Sequence, residues 1–404
     1  MQTLDLEHPD ELLATIAKQL GFALVGWRAT HSEPARNGNL LGFEVQLEAT
    51  DGQRQAQTVF VETNADAEGR DGVLLFEQPT ANQRIAVWIY PNDPALPALA
   101  ATVFSESARA LLARLGVTIE HPELSVLAYR PGKRAVIRVD GGDKRVYLKV
   151  VRPGKASAIV KRHASFLDAG IAVPHVIGWS EDGLIALTEL DGLEAQRIAS
   201  ELDQEFLGQV QELAARVATV ASHTPARESL VDRLDWYLGR LTTQLPDQKR
   251  RLRDLAGGIR QLLSEGRAGD VALVTIHGDL HTGQIFVTRQ AEAARERIQI
   301  TGLLDIDTAG LGDPADDSAA FYAHLHVLAR HLDVAEKHET AQHVSTLAAG
   351  WRDRWWRDGD PGFAARARAI AATHFLGHAL RQGDTDGVES MITHATGMVL
   401  REAT

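Results

Sequence analysis

The sequence predicts an α+β protein in which a strand-rich N-terminal part leads into a mainly helical C-terminal part. Three observations predict it. Between residues 22 and 90, five short runs alternate or are β-branched, with Gly, Asn and Asp between them. Between 124 and 189 the order reads strand, strand, strand, helix, strand. Beyond residue 200 the apolar spacing is helical, interrupted by one island of strands over 271–306.

Residues 8–20 place Leu12, Leu13, Ile16 and Leu20 on one face of a helix. Strands are predicted over 22–29, 40–49, 56–62, 72–77 and 85–90, then a Pro-broken connection over 88–97 and a helix over 98–115. One helix with a strand meander is the pattern of an antiparallel α+β domain. LSVLAYR, RAVIRVD and RVYLKVV follow as three strands, with turns at Pro131-Gly132 and Gly141-Gly142. A helix over 155–169 and a strand near 184–189 complete this part. Helices are predicted over 200–222, 227–244, 247–265, 315–333, 336–358, 362–382 and 386–402. The strands of the island are 271–276, 284–288 and 298–306, and QAEAARER (290–297) reads as a polar loop.

With 404 residues, the chain is long enough for two or three domains and an ample core. It has no cysteine, which excludes disulfides, thiolate zinc sites, iron–sulfur clusters and a thiol nucleophile. A net charge of −12 argues against general nucleic-acid binding, because phosphate contacts need Lys and Arg. No apolar run approaches the roughly 20 residues of a membrane span, and the acidic N-terminus is unlike a signal peptide, so the expected location is the cytoplasm. Charge is uneven: residues 116–190 are net positive between two acidic flanks, which suits an anion such as a nucleotide phosphate.

Two stretches of the island carry candidate chemistry: IHGDLHTGQIFV (276–287) and GLLDIDTAGLGDPADDSA (302–319). Each sets carboxylates where a strand gives way to a loop, a common position for function. Together they resemble the aminoglycoside phosphotransferase and choline kinase superfamily, whose members carry an H-G-D-x-x-x-x-N catalytic loop followed by an I-D-x metal-binding motif. Here the loop is His277-Gly278-Asp279-Leu280-His281-Thr282-Gly283-Gln284, the metal motif is Leu304-Asp305-Ile306, and the strand lysine matches Lys149 in VYLKVV.

The resemblance covers residues 124–400 and implies a protein-kinase-like bilobal fold, with a small β-rich N-lobe and a mainly helical C-lobe. The expected domains are an N-terminal α+β cap domain (1–118), the N-lobe (119–192) and the C-lobe (193–404). It also implies a small-molecule kinase using ATP and Mg²⁺. Asp279 would accept or orient the proton of the attacking hydroxyl. Asp305 and the side-chain carbonyl of Gln284 would hold Mg²⁺, and Lys149 would meet the α- and β-phosphates. The turn at Gly132, with Lys133 and Arg134, would cover the phosphates. Glu189 and Leu190 fall where the family has its interlobe hinge and adenine contact. His277 would brace the loop, and Asp313 and Asp317 of the G-D-P-x-x-D segment would be structural.

Gln at 284, where most relatives have Asn, and the H-G-D-x-H-x-G-Q loop are similar to maltokinases and bacterial glucosamine kinases. This points to a sugar or amino sugar as the hydroxyl acceptor, with aminoglycosides as the alternative. The helix over 155–169 lacks the Glu that pairs with the strand lysine in protein kinases, which leaves a weakly catalytic binding module as a further reading. LLDIDT (303–308) also matches the D-x-D-x-T motif of haloacid-dehalogenase-like phosphatases, but that motif opens a βαβ series and here helices follow. A zinc pair of His277 and His281 would need a helix, which Gly-Asp after a strand disfavours. Trp351, Trp355 and Trp356 suit either sugar stacking or core packing.

Overall fold

A computed structural model describes residues 9–34, 38–64, 72–78, 83–267, 271–292, 295–355 and 360–400. The chain divides into two compact units: Met1–Val160 with His175–Glu189, and Lys161–Pro174 with Leu190–Thr404.

The first unit opens with α1 (Asp10–Gln19), β1 (Ala23–Pro34), β2 (Asn39–Glu48), β3 (Arg54–Thr63), β4 (Leu74–Gln78) and β5 (Gln83–Ile89). The strands form one antiparallel sheet in the order β1-β2-β3-β5-β4. Val45 and Leu47, Val59 and Val61, and Ile85 and Val87 are each two residues apart, so each pair presents one face of its strand. That face closes on Leu12, Leu13, Ile16 and Ala17 of α1, as the helical spacing predicts.

The helix expected over 98–115 is two, α2 (Leu99–Thr102) and α3 (Ser105–Arg114). Phe104 breaks it with an extended backbone, φ −112° and ψ 126°. Leu99, Ala108 and Leu112 pack into the core of the second sheet, on Ala135, Ile137, Val139, Val146, Leu148 and Val150. These helices therefore pack on the second sheet, whereas the sequence groups them with the first. An amphipathic stripe shows that a face is buried, not which sheet buries it.

The second sheet is β6 (Glu123–Arg130), β7 (Arg134–Gly141), β8 (Lys144–Val151), β9 (Val176–Trp179) and β10 (Leu184–Thr188), in the order β6-β7-β8-β10-β9. α4 (Ala156–Asp168) follows β8. Its first turns, through Ala156 and Ile159, pack on Val151, Ile185 and Leu187.

The second unit contains β11 (Leu193–Glu194), α5 (Gln204–Ala218), α6 (Leu234–Gln244), α7 (Lys249–Gly266), β12 (Val274–Ile276), β13 (Ile285–Glu292), β14 (Arg295–Leu303) and β15 (Gly310–Gly312). Four helices end it: α8 (Pro314–Val334), α9 (His338–Arg352), α10 (Phe363–Ala379) and α11 (Thr385–Val399). α10 is buried on all sides and packs on α6, α7, α8 and α11, so it shows no amphipathic stripe. β11, β13 and β14 form one small sheet; β12 and β15 form another.

Two expectations need correction here. The stretch 290–297 is not a loop throughout: β13 and β14 stay paired out to Glu292↔Arg295, because a two-stranded ribbon meets its backbone hydrogen bonds without an apolar face. The helix expected over 336–358 stops at Arg352, and a 3₁₀ turn covers 353–355. Trp351 and Trp355 are buried, with the Trp351 indole N–H donating to the Ser318 carbonyl, so both serve packing. Trp356 lies outside the described residues.

Candidate active site

The loop 277–284 joins β12 to β13, and three separate contacts hold it. Asp317, in the first turn of α8, takes the backbone N–H of His277 on one oxygen at 2.7 Å and that of Gly278 on the other at 2.8 Å. The His277 ring reaches the Leu304 carbonyl with Nε2 at 2.8 Å. A carbonyl only accepts, so Nε2 carries the proton, and Nδ1 is left to accept the Asp279 N–H at 3.3 Å. The third contact is Thr308, whose hydroxyl donates to the His277 carbonyl. His277 is wholly buried and braces the loop, with both ring nitrogens engaged; it is not on a helix and is not half of a zinc pair.

Gly278 has φ +81°, and a Cβ there would stand 2.7 Å from the Thr308 carbonyl oxygen. The position therefore needs glycine both for its dihedral and for its clearance. The next residue, Asp279, is left part-exposed, and its Oδ1 accepts from Arg227 at 3.0 Å. Arg227 is in turn held by its backbone N–H on the Thr308 carbonyl. It lies in an irregular segment with no motif of its own, so sequence reading missed it.

Asp305 enters from the end of β14. Its backbone is left-handed, φ 50° and ψ 45°, a conformation that costs most residues about 1–2 kcal/mol and that Asp tolerates better than most. The Leu304 N–H donates to the Gln284 carbonyl at 2.8 Å, so the catalytic loop and the metal motif are stitched side by side. Gln284 is 7% exposed. Its Oε1 is buried and accepts no hydrogen bond, while its Nε2 stands 3.1 Å from His281 Nε2.

A neutral imidazole accepts at one nitrogen only, and burial lowers the His281 pKa despite the nearby Asp279 and Asp305. The Gly283 N–H is aimed at His281 Nδ1 at 3.1 Å, so the tautomer and the amide orientation are linked. With the proton on Nδ1, Gln284 donates its amide to His281 and keeps Oε1 for a cation, but the Gly283 N–H then loses its acceptor. With the proton on Nε2, the amide turns over. A carboxylate beside an unsatisfied amide carbonyl is a hard-oxygen donor set, the kind Mg²⁺ takes, so Asp305 and Gln284 fit that ion.

The rest of the segment after Asp305 is structural. Asp313 caps α8 through the Ala315 N–H and pairs with Arg366 at 2.6 Å. Arg366 is almost fully buried on α10 and also binds Asp360 and the Gly266 carbonyl. Removing one partner of such a buried pair costs about 3–5 kcal/mol. Asp316 bonds Ser229, and burial, with Asp313, Asp317 and Asp232 nearby, pushes its carboxyl up to about 7. Asp307 is half-buried and faces Arg162 of α4. The βαβ series of the phosphatase reading does not follow Leu303–Thr308: a short antiparallel strand and α8 do.

The remaining candidates belong to the first unit, Leu190 apart. Lys149 lies on β8 between Val136 and Ile185, buried at 6% exposure. Glu189 pairs with Arg145 at 2.6 Å beyond the end of β10. Leu190, in the second unit, packs where Gly302 leaves no room for a Cβ. The groups of the Gly132 turn are engaged inside the unit. The Gly132 N–H donates to Asp93 at 2.6 Å, and the same carboxylate oxygen accepts from the Tyr129 hydroxyl. Lys133 pairs with Glu33 at 2.8 Å, and Arg134 pairs across the sheet with Val151. This turn ties β6 and β7 to the 90–95 connection.

Thus Asp279 and Gln284 on the loop and Asp305 after β14 lie within one unit, with the loop pinned by Asp317, the His277 ring and Thr308. A family model described as "Phosphotransferase enzyme family" (APH) matches residues 132–369. No curated protein matches the sequence. Among solved structures, the chain is similar to the GDP complex of aminoglycoside 2'-phosphotransferase-IIIa, with 13% identity, a TM-score of 0.46, and coverage of 73% of this chain and 97% of that one. It is similar to a choline/ethanolamine kinase family protein from Mesorhizobium loti (16% identity, TM-score 0.46, 73% of this chain and 95% of that one). It is also similar to a Plasmodium vivax ethanolamine kinase (12% identity, TM-score 0.43, 69% and 82%).

The matched family model makes the chain a phosphotransferase. The chain belongs to the phosphotransferase enzyme family, the aminoglycoside phosphotransferase and choline kinase group that its HGD loop and LDI motif resemble.

Proposed function

We propose that this phosphotransferase is an ATP- and Mg²⁺-dependent kinase that moves the γ-phosphoryl group to a hydroxyl of a sugar or amino sugar. The observation that carries the reading is Asp279, part-exposed and held by Arg227, on a loop whose last residue, Gln284, accepts the N–H of Leu304 next to Asp305 and has a buried Oε1 without a partner. Phosphoryl transfer asks for positioning and charge neutralisation more than for covalent chemistry. Asp279 orients the acceptor hydroxyl and takes its proton at a carboxylate oxygen. Arg227 keeps that carboxylate in one rotamer. Asp305 and Gln284 are the residues that would hold Mg²⁺, which when bound neutralises phosphate charge. Lys149 is the phosphate-binding residue of this reading. Gly132, Lys133 and Arg134 are left out of it, because Asp93 and Glu33 already occupy the turn's amide and ammonium. Support for a sugar or amino sugar comes from the HGDLHTGQ loop, with Gln at 284 and His at 281.

The test is ATP consumption measured over sugars, amino sugars, aminoglycosides and choline-like alcohols, with wild type and Asp279→Ala. A sugar or amino sugar is expected to turn over best. The variant should lose about 10²–10⁴-fold in kcat while keeping its nucleotide affinity. Near-wild-type transfer by Asp279→Ala removes that residue from its role. Turnover confined to aminoglycosides moves the acceptor to that class.

A further inference from the structure

Beyond the oxygen ligands of the loop, the second unit holds a cluster of nitrogen donors that the phosphotransferase reading does not use. His374 and His378 lie four residues apart on α10, hence on one helix face, and His324 comes from α8, which packs against it. One ring nitrogen from each lies within 4.8 Å of the others. The His324 ring stands at 90° to that of His378, with centroids 5.0 Å apart, and 6.3 Å from that of His374. His374 is 4% exposed. Among the described residues, no hydrogen bond engages a ring nitrogen of any of the three.

We propose that His324, His374 and His378 bind a divalent transition-metal ion of the zinc class, leaving a fourth position for water or another ligand. Imidazole nitrogen is a preferred donor for such ions, whereas Mg²⁺ takes oxygen, so this site is chemically separate from the Asp305 and Gln284 pair. Two histidines at i and i+4 on one helix face, with a third from a neighbouring element, are a ligand arrangement that zinc accepts. A tetrahedral ion with bonds of about 2.0 Å needs its nitrogens about 3.3 Å apart, so binding would draw the three rings closer together. The His324 ring also stacks on that of His281, with centroids 4.4 Å apart, so the cluster borders the 277–284 loop. A neutral ring offers its lone pair without first losing a proton.

The test uses the full-length untagged chain, stripped with chelator and titrated with Co²⁺ and then Zn²⁺. One equivalent of Co²⁺ should bind and show the visible bands of four-coordinate cobalt, and Zn²⁺ should displace it. His374→Ala with His378→Ala should weaken binding at least about tenfold and abolish the bands. His338→Ala, an exposed histidine elsewhere, should bind as wild type does. If the double variant does not fold by circular dichroism, His324→Gln decides: it too must lose the four-coordinate bands. Absence of stoichiometric binding by wild type, or unchanged bands in the folded variants, overturns the site. Neither outcome depends on phosphoryl transfer.

Discussion

Asp305 combines a left-handed backbone with a charge, and the two can be separated. Asn tolerates the left-handed region about as well as Asp and has nearly the same shape, but it carries no charge. Asp305→Asn should therefore keep the left-handed backbone without added strain and lose at least about 100-fold in kcat, because the charge that would hold the ion is removed. Asp305→Ala should add backbone strain of about 1–2 kcal/mol, visible as a lower melting temperature. An Asp305→Asn enzyme with full activity would show that its charge is not needed. At this scale Asp279, Gln284 and Asp305 were legible from motif and residue type. Arg227 was not, since a lone arginine in an irregular segment acquires its partner only when Thr308 anchors its backbone.

At the scale of elements, α8 does more than pack: the Asp317 carboxylate in its first turn takes both amides that open the catalytic loop. Asp317→Asn keeps one acceptor oxygen and turns an N–H₂ toward the other amide, leaving a buried donor unmatched. The expected loss is about 1–3 kcal/mol of stability by urea unfolding, with a fall in kcat as the loop loosens. Unfolding and turnover both unchanged would mean the loop is held by His277 and Thr308 alone. The sequence placed Asp317 as structural, but its partners across forty residues belong to tertiary structure. Elements with a clear period, such as α1 and α7, were legible nearly to their ends. α2 and α3 were merged because one apolar stripe spans both, and the β13–β14 ribbon was truncated because its outer residues are polar on both faces.

For the whole molecule, buried titratable groups make stability depend on pH. His326 and His374 are depressed to about 3 and His378 to about 4, with His324 lowered as well, in each case chiefly by burial. A depressed group contributes stability above its unfolded value of about 6.5 and loses it as pH falls toward its folded value, at about 1.4 kcal/mol per unit for each group. Asp316 runs the other way. Raised to about 7, it lowers stability as pH climbs from about 4 to 7. Burial raises Asp317 as well, but four histidines outnumber these two aspartates, so the melting temperature should drop steeply between pH 6.5 and 5. Asp316→Asn should gain more over wild type at pH 7.5 than at pH 5. A melting temperature flat from pH 5 to 7.5 would contradict the assigned burial of the histidines.

The order of elements, the two motifs and the residue types proposed for the chemistry were determined by the sequence alone, because they depend on local periodicity and on residues close together in the chain. Tertiary structure alone decided the sheet that receives α2 and α3, the intramolecular partners that occupy the Gly132 turn, the pinning of the loop by Asp317 and Arg227, and the meeting of His324 with His374 and His378. Each of these joins groups tens of residues apart, and only packing brings such groups within hydrogen-bond or ligand distance.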